Sequence, residues 1–155
     1  SEMCIRDRGS YRTAVRYARE RKLYGRPISE LQAIQSRIAE MAVDLEATRA
    51  LTYRAAWLRT RGIRCDAEQA TAKNFATQAA VRCSVHAINI HGGYGVLEDY
   101  MPHHYYRHTP LRFSAGGTEE SLNIMIATAA VRDDANPDLS SKSMEQAGWW
   151  GRLDW

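Results

Sequence analysis

Three short stretches of this sequence carry side chains with chemical potential. The first is Gly116-Gly117-Thr118-Glu119-Glu120. The pattern predicts the opening of a helix, whose free backbone N–H groups and positive dipole end suit an anionic or electron-rich ligand, with glycine permitting close approach. A glycine turn followed by an N-cap explains the same residues and is the plainer reading. The second, His91-Gly92-Gly93-Tyr94-Gly95, is glycine-rich, but it follows a helical pattern rather than a strand. It therefore lacks the setting of a phosphate-cradling dinucleotide loop and reads better as a helix-ending turn. The third is His103, His104 and His108; no Asp or Glu is placed as a helical partner ligand, so no metal site is expected. There is no nucleophile elbow and no Walker pattern. The three cysteines, Cys4, Cys65 and Cys83, are odd in number and widely spaced, which disfavours a disulfide framework and fits a reducing compartment.

The elements that must position these residues are helical. Tyr11, Ala14, Val15, Ala18 and Leu23 recur at helical spacing between Ser10 and Tyr24, and Gly25 and Pro27 then break the run. Ser29 is placed as an N-cap with Gln32 as its capping-box partner. Leu31, Ile34, Ile38, Met41 and Leu45 come next, at spacings that line one face of a long helix, which Gly62 stops near Arg61. Asp66 is expected to cap a third helix with the stripe Ala72, Ala76, Ala79, Cys83, Ala87 and Ile90. So many small residues imply close helix approach, in a bundle centre or between two copies, with Cys83 as a small core residue. A short helix is expected around Pro102 to Arg107, within an otherwise irregular stretch from Tyr94 to Gly117. Thr118 caps a last helix with Glu119 and Glu120 in its first turn and Leu122 and Ile126 on its apolar face. No strand-like alternation is visible. The expected fold is all-α, an antiparallel four-helix-type bundle.

Residues 1–9 do not match the rest of the chain and read as adapter- or vector-derived leader. The bundle domain is expected over 10–132. A tail over 133–155, rich in Asp, Asn, Pro and Ser, carries Trp149, Trp150 and Trp155. With 155 residues, 45% hydrophobic and 25% charged, the chain has the composition of one globular domain. No apolar run is long enough to span a bilayer. The net charge of +3 is spread among acidic residues along the helices, without the basic, aromatic-interleaved stripe that nucleic-acid binding requires.

Taken in order, these blocks resemble one family. Tyr17-Ala18-Arg19-Glu20-Arg21-Lys22-Leu23-Tyr24-Gly25-Arg26-Pro27-Ile28 is similar to the acyl-CoA dehydrogenase segment YAxxRxxFGxPI. Leu31 to Gln35 and Ile38 to Ala42 resemble the helix after it. Ile88-Asn89-Ile90-His91-Gly92-Gly93-Tyr94-Gly95 resembles the QxxGGxG turn, and Tyr106-Arg107 followed by Gly117-Thr118 resembles the closing RD…EGT block. The likeness runs from Tyr11 to Val131. It implies the C-terminal helical domain of a three-domain flavoprotein, dimeric or tetrameric, homo- or hetero-oligomeric, with FAD at a subunit boundary. It further implies an acyl-CoA substrate, an electron-transfer flavoprotein or other acceptor, and a cytoplasmic or mitochondrial-matrix location. By resemblance Arg21 meets the FAD pyrophosphate, its planar fork matching phosphate oxygens. Tyr24 takes the family's Phe position beside the cofactor, and Gln32 lies in the next lining segment. Asn89, Gly92 and Gly93 approach the adenosine half from a neighbouring subunit, with Asn89 shorter in reach than the usual Gln. Thr118 and Glu120 meet FAD from their own subunit.

Gly116 is the main departure. The family commonly has a Glu there, which removes the substrate α-proton while a β-hydride passes to the flavin; glycine offers no proton acceptor. The base then lies on an earlier helix outside this chain, or on another subunit, or the chemistry differs. Arg107-His108 in place of Arg-Asp is a milder departure. The implied activity is α,β-dehydrogenation of acyl-CoA thioesters, with this piece inactive by itself. A flavin monooxygenase or oxidase on the same fold, and a non-catalytic structural subunit, are the alternatives.

Overall fold

The computed structural model describes residues 2–113 and 115–132. The three tail tryptophans lie outside them. Among the described residues there are five α-helices: α1 (Glu2–Glu20), α2 (Gln32–Thr60), α3 (Asp66–His91), α4 (Met101–His108) and α5 (Glu119–Arg132). A two-residue antiparallel ladder joins β1 (Lys22–Leu23) to β2 (Arg26–Pro27). The all-α class is as expected; the ladder is not.

α1 ends at Glu20, four residues before the expected Tyr24. Leu23, the last residue of the helical periodicity, is 42% exposed and is not among the residues of the core cluster or those packed on it. The chain instead turns through Tyr24 (φ 53) and Gly25 (φ 80), the pair of positive φ values that closes a two-residue hairpin with the twist strands prefer. The Ile28 N–H donates to the Arg21 carbonyl at 2.9 Å and closes the hairpin base. At its other end α1 begins at Glu2, eight residues before Ser10, and Gly9 lies against Tyr105 of α4: a Cβ there would stand 2.6 Å from the tyrosine oxygen.

Two further caps differ from expectation. Ile28–Glu30 forms a 3₁₀ turn and α2 starts only at Gln32, so Ser29 is not its N-cap. The Ser29 carbonyl accepts instead from Gln35 Nε2 at 3.1 Å. Asp66 is the first helical residue of α3 rather than the residue before it, and its carboxylate takes the Arg64 guanidinium at 2.6 Å. It still favours the helix, as a negative charge in the first turn.

The described residues divide into two compact units, 2–49 with 75–113 and 115–116, and 50–74 with 117–132. The core of the first joins Ala14 and Ala18 of α1, Met41 of α2 and Cys83, Ala87 and Ile90 of α3 around Ile28, with Leu31, Ile34 and Ile38 packed against it. The predicted stripe of α2 therefore faces inward. Every residue of the predicted α3 stripe is buried within this chain. Small residues allow that close approach, and Arg82 fixes it at the rim with two bonds of 2.9 and 2.7 Å to Asp44. In the second unit Ala55, Leu58, Cys65, Ala70 and Leu122 are buried, and Arg54 pairs with the nearly buried Glu68. Thr118 caps α5 as expected, its hydroxyl accepting from the Ser121 N–H at 3.3 Å.

Candidate functional site

Arg21 follows directly on α1, and the helix and hairpin together hold its backbone. Its N–H donates to the Tyr17 carbonyl at 2.8 Å, and its own carbonyl takes the Ile28 N–H. The side chain is exposed and makes no ion pair among the described residues. Its guanidinium carbon lies 5.7 Å from the centre of the Tyr94 ring, a cation–π distance. Tyr94 belongs to the 3₁₀ turn Gly92–Val96 that continues α3. Thus the end of α1 and the end of α3 meet, and a positively charged, planar, unpaired group stands beside the glycine turn.

An aromatic set supports that meeting. The Tyr17 and His91 rings stack at 4.1 Å, His91 meets Tyr100 edge-on at 6.3 Å, and Tyr100 lies 5.4 Å from Tyr94. His91 Nδ1 is 2.8 Å from the Ala87 carbonyl oxygen; a carbonyl only accepts, so this nitrogen carries the proton. Burial lowers the His91 pKa, opposed by the Ala87 bond and assisted by the nearby Arg16 charge. The imidazole is a neutral packing ring, not a cation competing with Arg21. Burial raises the Tyr17 hydroxyl pKa, and Arg21 partly offsets it.

This titration has a sign. In the unfolded chain His91 protonates near its ordinary value of 6.5, while the folded site resists until lower pH. Below that value the unfolded state binds more protons, so stability falls with falling pH; above it both states are neutral and the contribution is flat. Urea midpoints measured from about pH 7.5 down to about pH 5 should fall less steeply for His91→Asn than for the unaltered chain. Equal slopes would contradict the assignment.

The glycines of the turn divide by what surrounds them. A Cβ on Gly95 would meet the backbone of Ile88, whereas one on Gly92 or Gly93 would meet nothing within 4 Å. Packing within the chain accounts for Gly95 but gives no reason for Gly93. Open space beside a glycine is where an outside group can approach the backbone. Tyr24, at the hairpin tip, is 88% exposed with a positive φ, an uncommon backbone state for a tyrosine. Gln32 and Asn89 are exposed on the first turn of α2 and the last of α3, and neither side chain has a partner among the described residues.

Thr118 and Glu120 belong to the second unit. The Glu120 carboxyl pKa is lowered by hydrogen bonds from its own N–H and from the Thr118 hydroxyl. Gly116 has φ 79, a conformation that a glutamate would adopt only under strain. His103 and His104 lie edge to face at 5.6 Å, and His104 Nε2 donates to the Glu98 carbonyl at 2.8 Å. No group of three His, Cys, Asp or Glu among the described residues is arranged to hold a metal. The sequence did not foretell the roles of Tyr94, Tyr100 and Tyr17. Their only signal was a high density of tyrosine around the motifs, which does not say which ring meets which.

The family profile described as acyl-CoA dehydrogenase, C-terminal domain, matches residues 3–131. The chain belongs to this family. An acyl-CoA dehydrogenase of Bacillus subtilis is 40% identical over 114 residues, covering 74% of this chain and 30% of that protein. The structure of butyryl-CoA dehydrogenase from Megasphaera elsdenii superposes with a TM-score of 0.82 at 29% identity, covering 84% of this chain and 34% of that one. A prolyl acyl carrier protein oxidase superposes at 0.76 with 28% identity, covering 79% and 32%. This acyl-CoA dehydrogenase domain therefore spans about a third of the proteins it matches. No helix among its described residues is long and apolar enough to cross a membrane.

Proposed function

We propose that this acyl-CoA dehydrogenase domain is the FAD-binding C-terminal part of a flavoprotein that α,β-dehydrogenates acyl-CoA thioesters, and that it is inactive without the rest of the enzyme. The observation that carries the reading is the unpaired Arg21 guanidinium held over Tyr94, next to the open side of Gly93. The donor set fits the cofactor. A planar guanidinium fork takes two oxygens of a diphosphate at once, and Gly92 and Gly93 admit a ligand to the backbone. Tyr24 offers an exposed ring, and Gln32 and Asn89 offer amides without internal partners. Separately, in the second unit, the Thr118 hydroxyl and Glu120 carboxylate at the N-terminus of α5 suit ligand hydroxyl groups of a cofactor held by their own subunit. When bound, FAD supplies the acceptor for the hydride leaving the substrate β-carbon.

The proton acceptor for the α-carbon does not come from this site. Gly116 has no side chain to take a proton. Hydrogen bonds from its own N–H and from the Thr118 hydroxyl lower the Glu120 carboxyl pKa, which makes it a weaker proton acceptor. In this reading the base lies on an earlier helix outside this chain or on another subunit. An electron-transfer flavoprotein or equivalent acceptor reoxidises the enzyme, which works as a homo- or hetero-oligomer in the cytoplasm or mitochondrial matrix.

A second reading, an oxidase or monooxygenase, is favoured by Gly116 together with the likeness to the acyl carrier protein oxidase. Full-length protein purified through gel filtration is expected to retain one FAD per subunit and, once reduced, to react slowly with oxygen. Rapid oxidation by oxygen would favour the oxidase. Flavin-free protein that cannot be reconstituted would leave a structural subunit and overturn the proposal.

A further inference from the structure

The outward face of α1 carries a feature that cofactor binding does not use. Arg12, Arg16 and Arg19 lie at spacings of four and three, so they share one face. All are exposed, and none makes an ion pair among the described residues. Glu20, one turn beyond Arg16, does not pair with it; a helix favours the opposite order of charges. Together with the half-buried Tyr11 and Val15, these residues line a shallow groove of about 380 Å³.

We propose that this groove docks an acidic amphipathic helix of a partner protein. Charge and repeat both point to it. The three arginines recur about once per 5.4 Å turn, so carboxylates at i, i+4 and i+7 on a second helix laid alongside meet them in register. Each guanidinium fork can take a carboxylate through two bonds. Tyr11 and Val15 give the groove an apolar floor that suits the side chains of a peptide, whereas phosphates would leave it uncovered. Phosphates along a duplex strand also recur every 3.4 Å or so of axis, out of step with the helical turn. A membrane fits less well, because the apolar face of α1, with Ala14 and Ala18, is already buried in the core and no second apolar face is left to insert.

The test is fluorescence anisotropy at low salt, with a labelled synthetic helix bearing glutamates at i, i+4 and i+7 and leucines between them. Saturable binding is expected, weakened about tenfold or more by Arg12→Glu with Arg16→Glu. The pair Arg59→Glu with Arg61→Glu, which changes net charge equally, should leave binding intact. Arg12→Gln with Arg16→Gln serves as a milder variant if circular dichroism shows that the reversal disturbs the helix. Equal loss in the control pair, or equal binding of a peptide with its glutamates respaced, would overturn the proposal. So would tighter capture by anionic vesicles or duplex DNA than by the peptide. The full-length protein must bind as this chain does; failure there would assign the face to its own remaining chain and overturn the partner.

Discussion

Replacing Gly95 with alanine is expected to destabilise the domain by about 3 kcal/mol, at the upper end of what overpacking costs. The added Cβ would stand 2.6 Å from the carbonyl oxygen of Ile88 and 2.8 Å from its Cα. Both are backbone atoms of α3 and cannot swing aside as a long side chain would. Relief must come from moving the turn Gly92–Val96, and with it Tyr94 and the ring under Arg21. Gly93→Ala, in the same turn but in open space, is the matched control: stability should change by less than about 0.5 kcal/mol. Urea denaturation of both variants decides the point, and a Gly95→Ala midpoint close to the unaltered chain would contradict the packing described here. The same pair separates two reasons for a glycine. Gly95 serves the fold, so its loss shows in stability. Gly93 is proposed to admit a ligand, so its loss is expected to show in flavin affinity of the full-length protein.

Arg21→Ala in the full-length enzyme is expected to weaken FAD binding by about 30- to 100-fold, the 2–3 kcal/mol that a charged hydrogen-bonding group typically contributes. Little stability should be lost with it, because Arg21 is exposed and has no ion pair among the described residues. Arg21→Lys keeps the charge but not the fork, and should recover only part of the affinity. Flavin dissociation constants from apoenzyme titration would show this. An Arg21→Ala protein that holds FAD as tightly as the parent would remove the group on which the site is built.

The fold was readable wherever burial and helical spacing coincide. Ile34, Ile38, Met41 and Leu45 in α2 and the alanine and Cys83 stripe of α3 are spaced for one face, and the structure buries that face. Thr118 was readable as a cap because its bond to Ser121 is local. The errors arose where short-range patterns mimic one another. Leu23 sits eight residues after Val15, a helical spacing, yet two residues per strand are too few to show alternation, so the hairpin left no signature. Ser29 and Gln32 have the spacing of a capping box, but a 3₁₀ turn takes that stretch first. The sequence offers the candidate site as a set of motif residues and not as an arrangement. Nothing in the sequence near Arg21 says that Tyr94 will lie under it, because that contact depends on how the ends of α1 and α3 come to meet.

Flavin-dependent dehydrogenation of acyl-CoA thioesters is the activity this domain is proposed to serve. It is tested by anaerobic titration of the full-length flavoprotein with a panel of acyl-CoA thioesters, following flavin absorbance. Bleaching by one chain-length class is expected, and it would also show that a base acts despite Gly116. Bound flavin that no thioester bleaches would refute the proposed dehydrogenation.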